Sequence, residues 1–476
     1  MSNKRVLIIS HGHPAFSLGG AEVASYNLHQ GLHDLPGWES HYLARTSPPV
    51  TPHGSSALMA LRQKEREVLY HANDYDHFRL SNRNLPGLEK DFVRYVRDLQ
   101  PDVVNFHHFL GLGIETIQAI RQALPRVPIV VTFHEYLSIC HHHGQMVKTS
   151  RNTLCYRASP ADCACCFPHI GEAQFFKREL FLKTFLEQAD FYVSPSNFLI
   201  DRYVDWGLPR EKFRMIENGL TVEGIAPPRP LARGGKRNRF AFFGQLTEFK
   251  GAHVLVEAIG RVSEKAWGED GALMIFGGNL ERQPEAYQKK FNEAVERAGD
   301  RVRFYGSYRS AELPGLMKDV DWVVMPSIWW ENSPVVIQEA FLHGRPIISS
   351  NIGGMGEKVT HGVDGLHFRN ASVEDLVDRL TEALTTPDLW DRLRMRIRRP
   401  RSRSARRTRR RGGGRHPPGR SGGGGASADG PPGPARVGPR SSGPPHPRRC
   451  RFGTARRPPP WVPFPPLRLC CPRCTV

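Results

Sequence analysis

The strongest constraint on the fold is an alternation, sustained from about residue 4 to residue 395, of short apolar runs with longer segments of helical spacing. The run Val6-Leu7-Ile8-Ile9 predicts a buried strand over 5–10, and behind Gly19-Gly20-Ala21-Glu22 the residues Val23, Tyr26, Asn27, Leu28 and Leu32 roughly follow a helical period. The same reading predicts strands at 102–106, 128–133, 191–194 and 213–216, with helices at 112–124, 172–189 and 196–206. A second series predicts strands near 239–243, 272–276, 301–305, 321–325 and 346–350. Its helices are expected near 251–264, 284–298, 310–318, 334–343 and 373–386, the last opened by a capping box of Ser372 and Asp375. Strands that alternate with helices predict parallel, doubly wound sheets. The Pro-rich, then Gly-rich and basic stretch 223–238 separates the two series and reads as a linker. The fold class expected is therefore α/β, with two tandem Rossmann-like domains, 1–222 and 239–395, and a cleft between them.

The formal net charge of +19 suggests a nucleic-acid or membrane binder, but it is unevenly placed. From Asp391 onward there are 23 Arg, no Lys and 2 acids, a net +21, which leaves −2 for the preceding residues. The body is nearly neutral, so nucleic acid is not its expected partner. Residues 396–476 read by composition as a disordered Arg/Gly/Pro-rich tail, or as the out-of-frame continuation of a GC-rich gene. The first apolar run is too short for a signal peptide, and no run approaches the roughly 20 residues that cross a bilayer. A cytoplasmic protein is expected, with peripheral contact at the inner membrane face as a further expectation. Residues 51–85, with an amphipathic Leu58-Met59-Ala60-Leu61 segment read as a surface helix, are where acceptor or membrane contact is sought.

The chemistry gathers around Trp322-Val323-Val324-Met325, a strand that stops at Pro326-Ser327 and leads through a loop to a helix begun by Pro334. Glu331 lies in that loop and Glu339 on that helix. Carboxylates there can simply offset a helix dipole. The surroundings argue for a ligand instead. Lys250 stands beside a helix start after Gly244-Gln245, and Gly277-Gly278 open another loop on the same strand edge. A lysine and free amides for phosphate, with a carboxylate for hydroxyls, make a nucleotide-sugar pocket at the carboxyl ends of the strands.

With these residues in place the chain resembles the family-4 retaining glycosyltransferases, two-domain enzymes of the GT-B fold. The residues that carry the resemblance are Gly19-Gly20-Ala21-Glu22, His134-Glu135, Asn218-Gly219, Phe243-Gly244-Gln245 through Lys250-Gly251, Phe304-Tyr305-Gly306, Pro326-Ser327, and Glu331 with Glu339. The resemblance implies transfer of a sugar from a nucleoside-diphosphate donor to a glycan or lipid-linked acceptor, with retention and without a metal in the transfer step, in cell-surface polysaccharide or glycoconjugate synthesis. It implies that Glu331 binds donor-sugar hydroxyls, that Glu339 holds the ribose, and that Lys250 neutralises the departing diphosphate. The backbone from Asn332 through Ser333 to Val335, with Gly244, Gln245 and Gly277, would line the donor. Gly20 would let the first-domain loop close over the phosphates, and His134 would sit across the cleft beside the sugar. His107 and His108 would face the acceptor. Retention would follow front-face attack with the departing phosphate as base. One departure is Gln245, where the family usually carries Arg; Gln donates a hydrogen bond but brings no charge.

Five of nine Cys fall between Cys140 and Cys166. Cys163 and Cys166 have a zinc-type gap, and Cys140 and Cys155 would complete a four-sulfur structural site; reduced thiols or a disulfide are the alternatives. Two rival functions are a nucleotide-sugar epimerase of similar shape and a nucleic-acid binder acting through its basic tail.

Overall fold

A computed structural model describes residues 3–398 except 18, 47–55, 62–63, 73 and 221–223. The reading of a disordered or out-of-frame tail falls, from residue 399 on, outside the described residues.

The first sheet has eight strands: β1 (Lys4–Ser10), β2 (Trp38–Arg45), β3 (Leu58–Leu61), β4 (Lys64–Tyr70), β5 (Val103–Phe106), β6 (Ile129–Thr132), β7 (Phe191–Ser194) and β8 (Phe213–Met215). Their order is β8-β7-β6-β5-β1-β2-β4-β3, parallel except for β3, which runs antiparallel to β4. The expected helix at 58–61 is thus corrected to an edge strand. Four apolar residues are too few to separate a period of 2 from 3.6.

The second sheet has six parallel strands: β9 (Arg239–Phe243), β10 (Ala272–Phe276), β11 (Val302–Gly306), β12 (Trp322–Met325), β13 (Ile347–Ser350) and β14 (Gly365–Phe368). Their order is β11-β10-β9-β12-β13-β14. Most of this sheet is buried on both faces. Phe240, Phe242, Leu273, Ile275, Trp322 and Val324 pack into one cluster, while the alternate residues Ala241, Phe243, Met274, Phe276, Val323 and Met325 pack into the other. Strands covered on both faces have no polar alternation, and that is why they read as plain apolar runs.

In each sheet the strand order reverses beside the first strand of its series: between β1 and β5 in one, between β9 and β12 in the other. Loops leaving the carboxyl ends of the flanking strands diverge there and leave a crevice. The capping expectation at Ser372 holds in half: its hydroxyl accepts from Asp375 N at 3.2 Å, but the Asp375 carboxylate takes the Arg369 amide at 2.6 Å.

Two buried side chains fasten the linker to the second domain. Asp321, fully buried, accepts from the Arg229 guanidinium at 2.6 Å, from Arg237 at 3.1 Å and from the Arg239 amide at 3.2 Å. Arg345, also fully buried, donates to the carbonyls of Pro227, Met317 and Val320.

Candidate active site

The second-domain wall of the cleft is built by the loops after β9 and β12. Gly251 has φ +69°, and a Cβ there would overlap the Pro326 carbonyl, so only glycine lets these loops meet. Ile328 N donates to Phe249 O at 2.9 Å and locks the two together. Lys250 Nζ then lies 2.6 Å from Glu331 Oε1, and Ser327 Oγ donates to the same oxygen at 2.8 Å. Lys250 is thus paired with Glu331. Gly277 lies against Gly244, whose carbonyl a Cβ at 277 would overlap, and Gly244 N donates to Phe276 O at 3.0 Å. Gln245 is exposed in this loop.

Beyond Glu331 the helix Val335–Leu342 starts after Pro334, which takes the capping position rather than the first turn. Asn332 and Ser333 lie just before it. Asn332 Oδ1, Ser333 Oγ and Trp329 Nε1 are buried and have no hydrogen-bond partner among the described residues. Each such atom costs about 1–3 kcal/mol unless something binds it. Glu339, on the helix, is pushed up to about 7 by burial.

The first-domain wall is made of histidines. His134, after β6, places Nε2 2.9 Å from His107 Nδ1, and the two rings stack. His108 Nε2 lies 3.1 Å from Glu135 Oε1, the His108 and His11 rings sit 4.4 Å apart and tilted by 50°, and His11 Nε2 stands 3.3 Å from Glu22 Oε1. Burial, then the neighbouring His108 and His11, hold His134 down to about 3, so it is a neutral imidazole. His107 is driven well below the ordinary range by burial and then by His134. His108 is lowered likewise, by burial and then by His11. Burial raises Glu135 to about 8, although a third of its side chain still faces the cleft. For Glu22 burial acts upward, but the hydrogen bond from His11 outweighs it with help from Ser17, and the carboxyl falls to about 2. His107 and His108 are thus partners of His134 and Glu135. Gly20 opens the helix Gly20–His33, and nothing in the protein occupies the space its Cβ would take.

The two walls touch. Asn332 Nδ2 donates to the His134 carbonyl at 2.8 Å. Trp330, 4% exposed, packs into the first-domain core against Phe198 and Tyr156, and its Nε1 donates to Cys155 O at 3.2 Å. Glu357 accepts from the amides of Asn197 (3.0 Å) and Phe198 (2.8 Å), so a second-domain carboxylate caps a first-domain helix. Neither Trp330 nor Glu357 stood out in the sequence, because nothing local marks a side chain whose partners lie across a domain boundary.

Residues 18–223 match the family described as Glycosyltransferase Family 4, and residues 228–399 match Glycosyl transferases group 1. The chain belongs to the family-4, group 1 glycosyltransferases. Among relatives of this family, the D-inositol 3-phosphate glycosyltransferase of Corynebacterium aurimucosum is 31% identical over 147 residues, which is 30% of this chain and 34% of that protein. The chain spans between 30% and 60% of the length of the first curated relatives it matches. Sucrose-phosphate synthase from Thermosynechococcus elongatus shares the fold with a TM-score of 0.60 at 18% identity, covering 83% of this chain and 94% of that one. Anabaena HepE in complex with UDP and glucose does so with a TM-score of 0.55 at 18% identity, covering 83% and 93%. The fold is GT-B. The chain brings His134, Lys250, Glu331, Asn332 and Ser333 to facing strand ends, where Asn332 Nδ2 meets the His134 carbonyl. Among the described residues no helix is long and apolar enough to cross a membrane.

Proposed function

We propose that this protein is a retaining glycosyltransferase that moves a sugar from a nucleoside-diphosphate donor to a glycan or lipid-linked acceptor. The observation that carries the reading is the Lys250–Glu331 ion pair at the point where the second sheet reverses order, flanked by Asn332 Oδ1 and Ser333 Oγ, which are buried without a hydrogen-bond partner among the described residues. Lys250 is released to the diphosphate as the donor enters, and Glu331 turns its freed oxygen to sugar hydroxyls. The amides before Val335 face the phosphates at a helix start. Glu339, neutral in part when the pocket is dry, becomes the acceptor of ribose hydroxyl hydrogen bonds. Gly244, Gln245 and Gly277 line the donor, and Gly20 leaves room for the first-domain loop to approach it.

In the transfer step the bond from the anomeric carbon to the phosphate oxygen breaks, and the acceptor oxygen bonds to the same face of that carbon. The acceptor's proton passes to a departing phosphate oxygen, whose growing charge Lys250 stabilises. Neutral His134 bounds the sugar from the other wall, with His107 and His108 on the acceptor side. This reading gives a metal no part in the transfer. Peripheral contact with an inner membrane surface fits a lipid-linked acceptor.

Purified protein should be incubated with a panel of nucleoside-diphosphate sugars, UDP-sugars first because HepE was solved with UDP, and assayed for nucleotide release and thermal stabilisation. Stabilisation by one nucleotide class and loss of transfer in Lys250→Ala are expected. A panel that neither stabilises the protein nor yields free nucleotide would overturn the reading.

A further inference from the structure

The insert that follows His134-Glu135 carries chemistry the transfer does not use. It runs from Cys140 through a short hairpin (Val147–Lys148 with Thr153–Leu154) to the helix Pro160–Cys166, capped by Ser159, which accepts from Asp162 N at 3.1 Å. Cys140 precedes the hairpin, Cys155 follows it, and Cys163 and Cys166 sit one turn apart on the helix. Cys140, Cys155, Cys163 and Cys166 line one cavity of about 20 Å³, and none of the insert's cysteines is in a disulfide. That volume suits one small occupant, since a single water needs about 10–15 Å³.

Three features show what kind of occupant suits it. The cavity is also lined by His141, His142, Lys148 and Asp162, but the Asp162 carboxylate accepts from Ser159 Oγ at 2.6 Å and His142 Nδ1 lies 3.0 Å from Val147 O, so the four cysteines are its soft donors. Backbone hydrogen bonds hold the chain at two of them, Gly144 N to Cys140 O at 3.1 Å and Cys155 N to Met146 O at 2.8 Å. Arg178, 3% exposed, spends its donors on the carbonyls of Phe78, Leu137 and Ser138 and makes no ion pair with a carboxylate among the described residues. Its charge is felt by Cys140 and Cys163. A divalent ion bound by four thiolates carries a net charge of about −2, which a buried guanidinium offsets.

We propose that Cys140, Cys155, Cys163 and Cys166 bind one structural Zn²⁺ in the cavity they share, and that the metal fixes the insert against the loop carrying Glu331. Among the described residues no three His, Cys, Asp or Glu side chains already stand as a ligand set. The assignment rests on the cavity the four residues share; Zn–S bonds of about 2.3 Å would require their sulfurs to stand about 3.8 Å apart. The link to the transfer site is direct: Trp330, adjacent to Glu331, donates to the carbonyl of Cys155 and packs on Tyr156. Holding Cys155 holds that contact. Cys165 does not line the cavity.

The test is metal analysis of the full chain purified without added metal. About one zinc per chain is expected, retained in Cys165→Ser and reduced about tenfold or more in Cys163→Ser and Cys155→Ser. Removing the metal from the wild-type chain should raise KM for the donor more than it lowers kcat, because the insert positions a loop and does no chemistry. Should the serine variants fail to fold, Co²⁺ exchanged into the wild-type chain must show thiolate-to-cobalt charge-transfer absorption. Wild-type protein free of metal, iron in place of zinc, zinc unchanged in Cys163→Ser, or cobalt bound without thiolate bands would each overturn the proposal. Metal content is read without any transfer assay, so failure of the transferase reading is separately visible.

Discussion

The two walls of the cleft use the same architecture and opposite electrostatics. Both stand at the carboxyl ends of parallel strands, beside the reversal of strand order. The second-domain wall holds an ion pair, Lys250–Glu331, and a carboxyl at Glu339 whose ordinary range is shifted to about 7. The first-domain wall holds three imidazoles kept neutral, His107 and His108 buried and His134 partly so, with His134 down to about 3. On the proposed reading the difference is a division of labour: one wall manages a charge that leaves, and the other offers shape and hydrogen bonds without competing for that charge.

The sharpest way to break this comparison is to remove the charge. Lys250→Ala should lower kcat about 10²–10³-fold, as for loss of a group stabilising a leaving anion. A steady-state assay showing unimpaired turnover would mean that the histidine wall, or something else, carries the diphosphate. Next in size is the pH response. Donor hydroxyls favour the Glu339 carboxylate, so nucleotide affinity should fall about tenfold per pH unit below about 7 and level off above it. Calorimetry in buffers of different ionisation enthalpy should detect the released proton, and Glu339→Gln should abolish the slope. Because this carboxyl is raised from 4.5, it opposes folding of the ligand-free protein as pH rises from about 4.5 through 7. His134 acts in the reverse sense. Lowered from 6.5 to about 3, it costs stability as pH falls through that window and adds no ionisation to turnover between pH 6 and 8. A kcat profile with a limb that vanishes in His134→Gln would contradict the neutral wall.

Smaller effects test how the walls are joined. Glu357→Ala removes the cap that one domain lends the other and should cost about 1 kcal/mol in denaturant unfolding. The smallest change expected is from Gln245→Arg. The side chain is exposed, and a second cation beside Lys250 should leave kcat/KM within about threefold.

Much of this was legible in the sequence, for a physical reason. Strands buried on both faces must be apolar throughout, so β1, β9, β10 and β12 announced themselves. Trp38–Arg45 did not, because Glu39, Ser40, His41 and Arg45 break the run; its polar partners are a buried network, with Ser40 Oγ bonded to His29 at 2.8 Å. Gly365–Phe368 is too short to stand out. At the site, residue types at strand ends pointed to the pocket, yet the Lys250–Glu331 bond spans 81 residues and had no local signature. Nor could spacing show that His107 and His108 would be tied to His134 and Glu135.

The linker clamp has a consequence for motion. With Asp321 gripping Arg229 and Arg237, and Arg345 gripping the carbonyl of Pro227, residues 227–237 travel as part of the second domain. Ala226 is held by the same domain, its amide donating to His343 Nδ1 at 2.9 Å, so the second domain's grip on the chain reaches back to that residue. The Asn218 carbonyl already accepts from Gln338 at 3.2 Å, on the same helix as Glu339. The crossing between the domains and the helix that carries Glu339 are therefore neighbours, so on the proposed reading a nucleotide settling on that helix acts at the joint rather than at the rim.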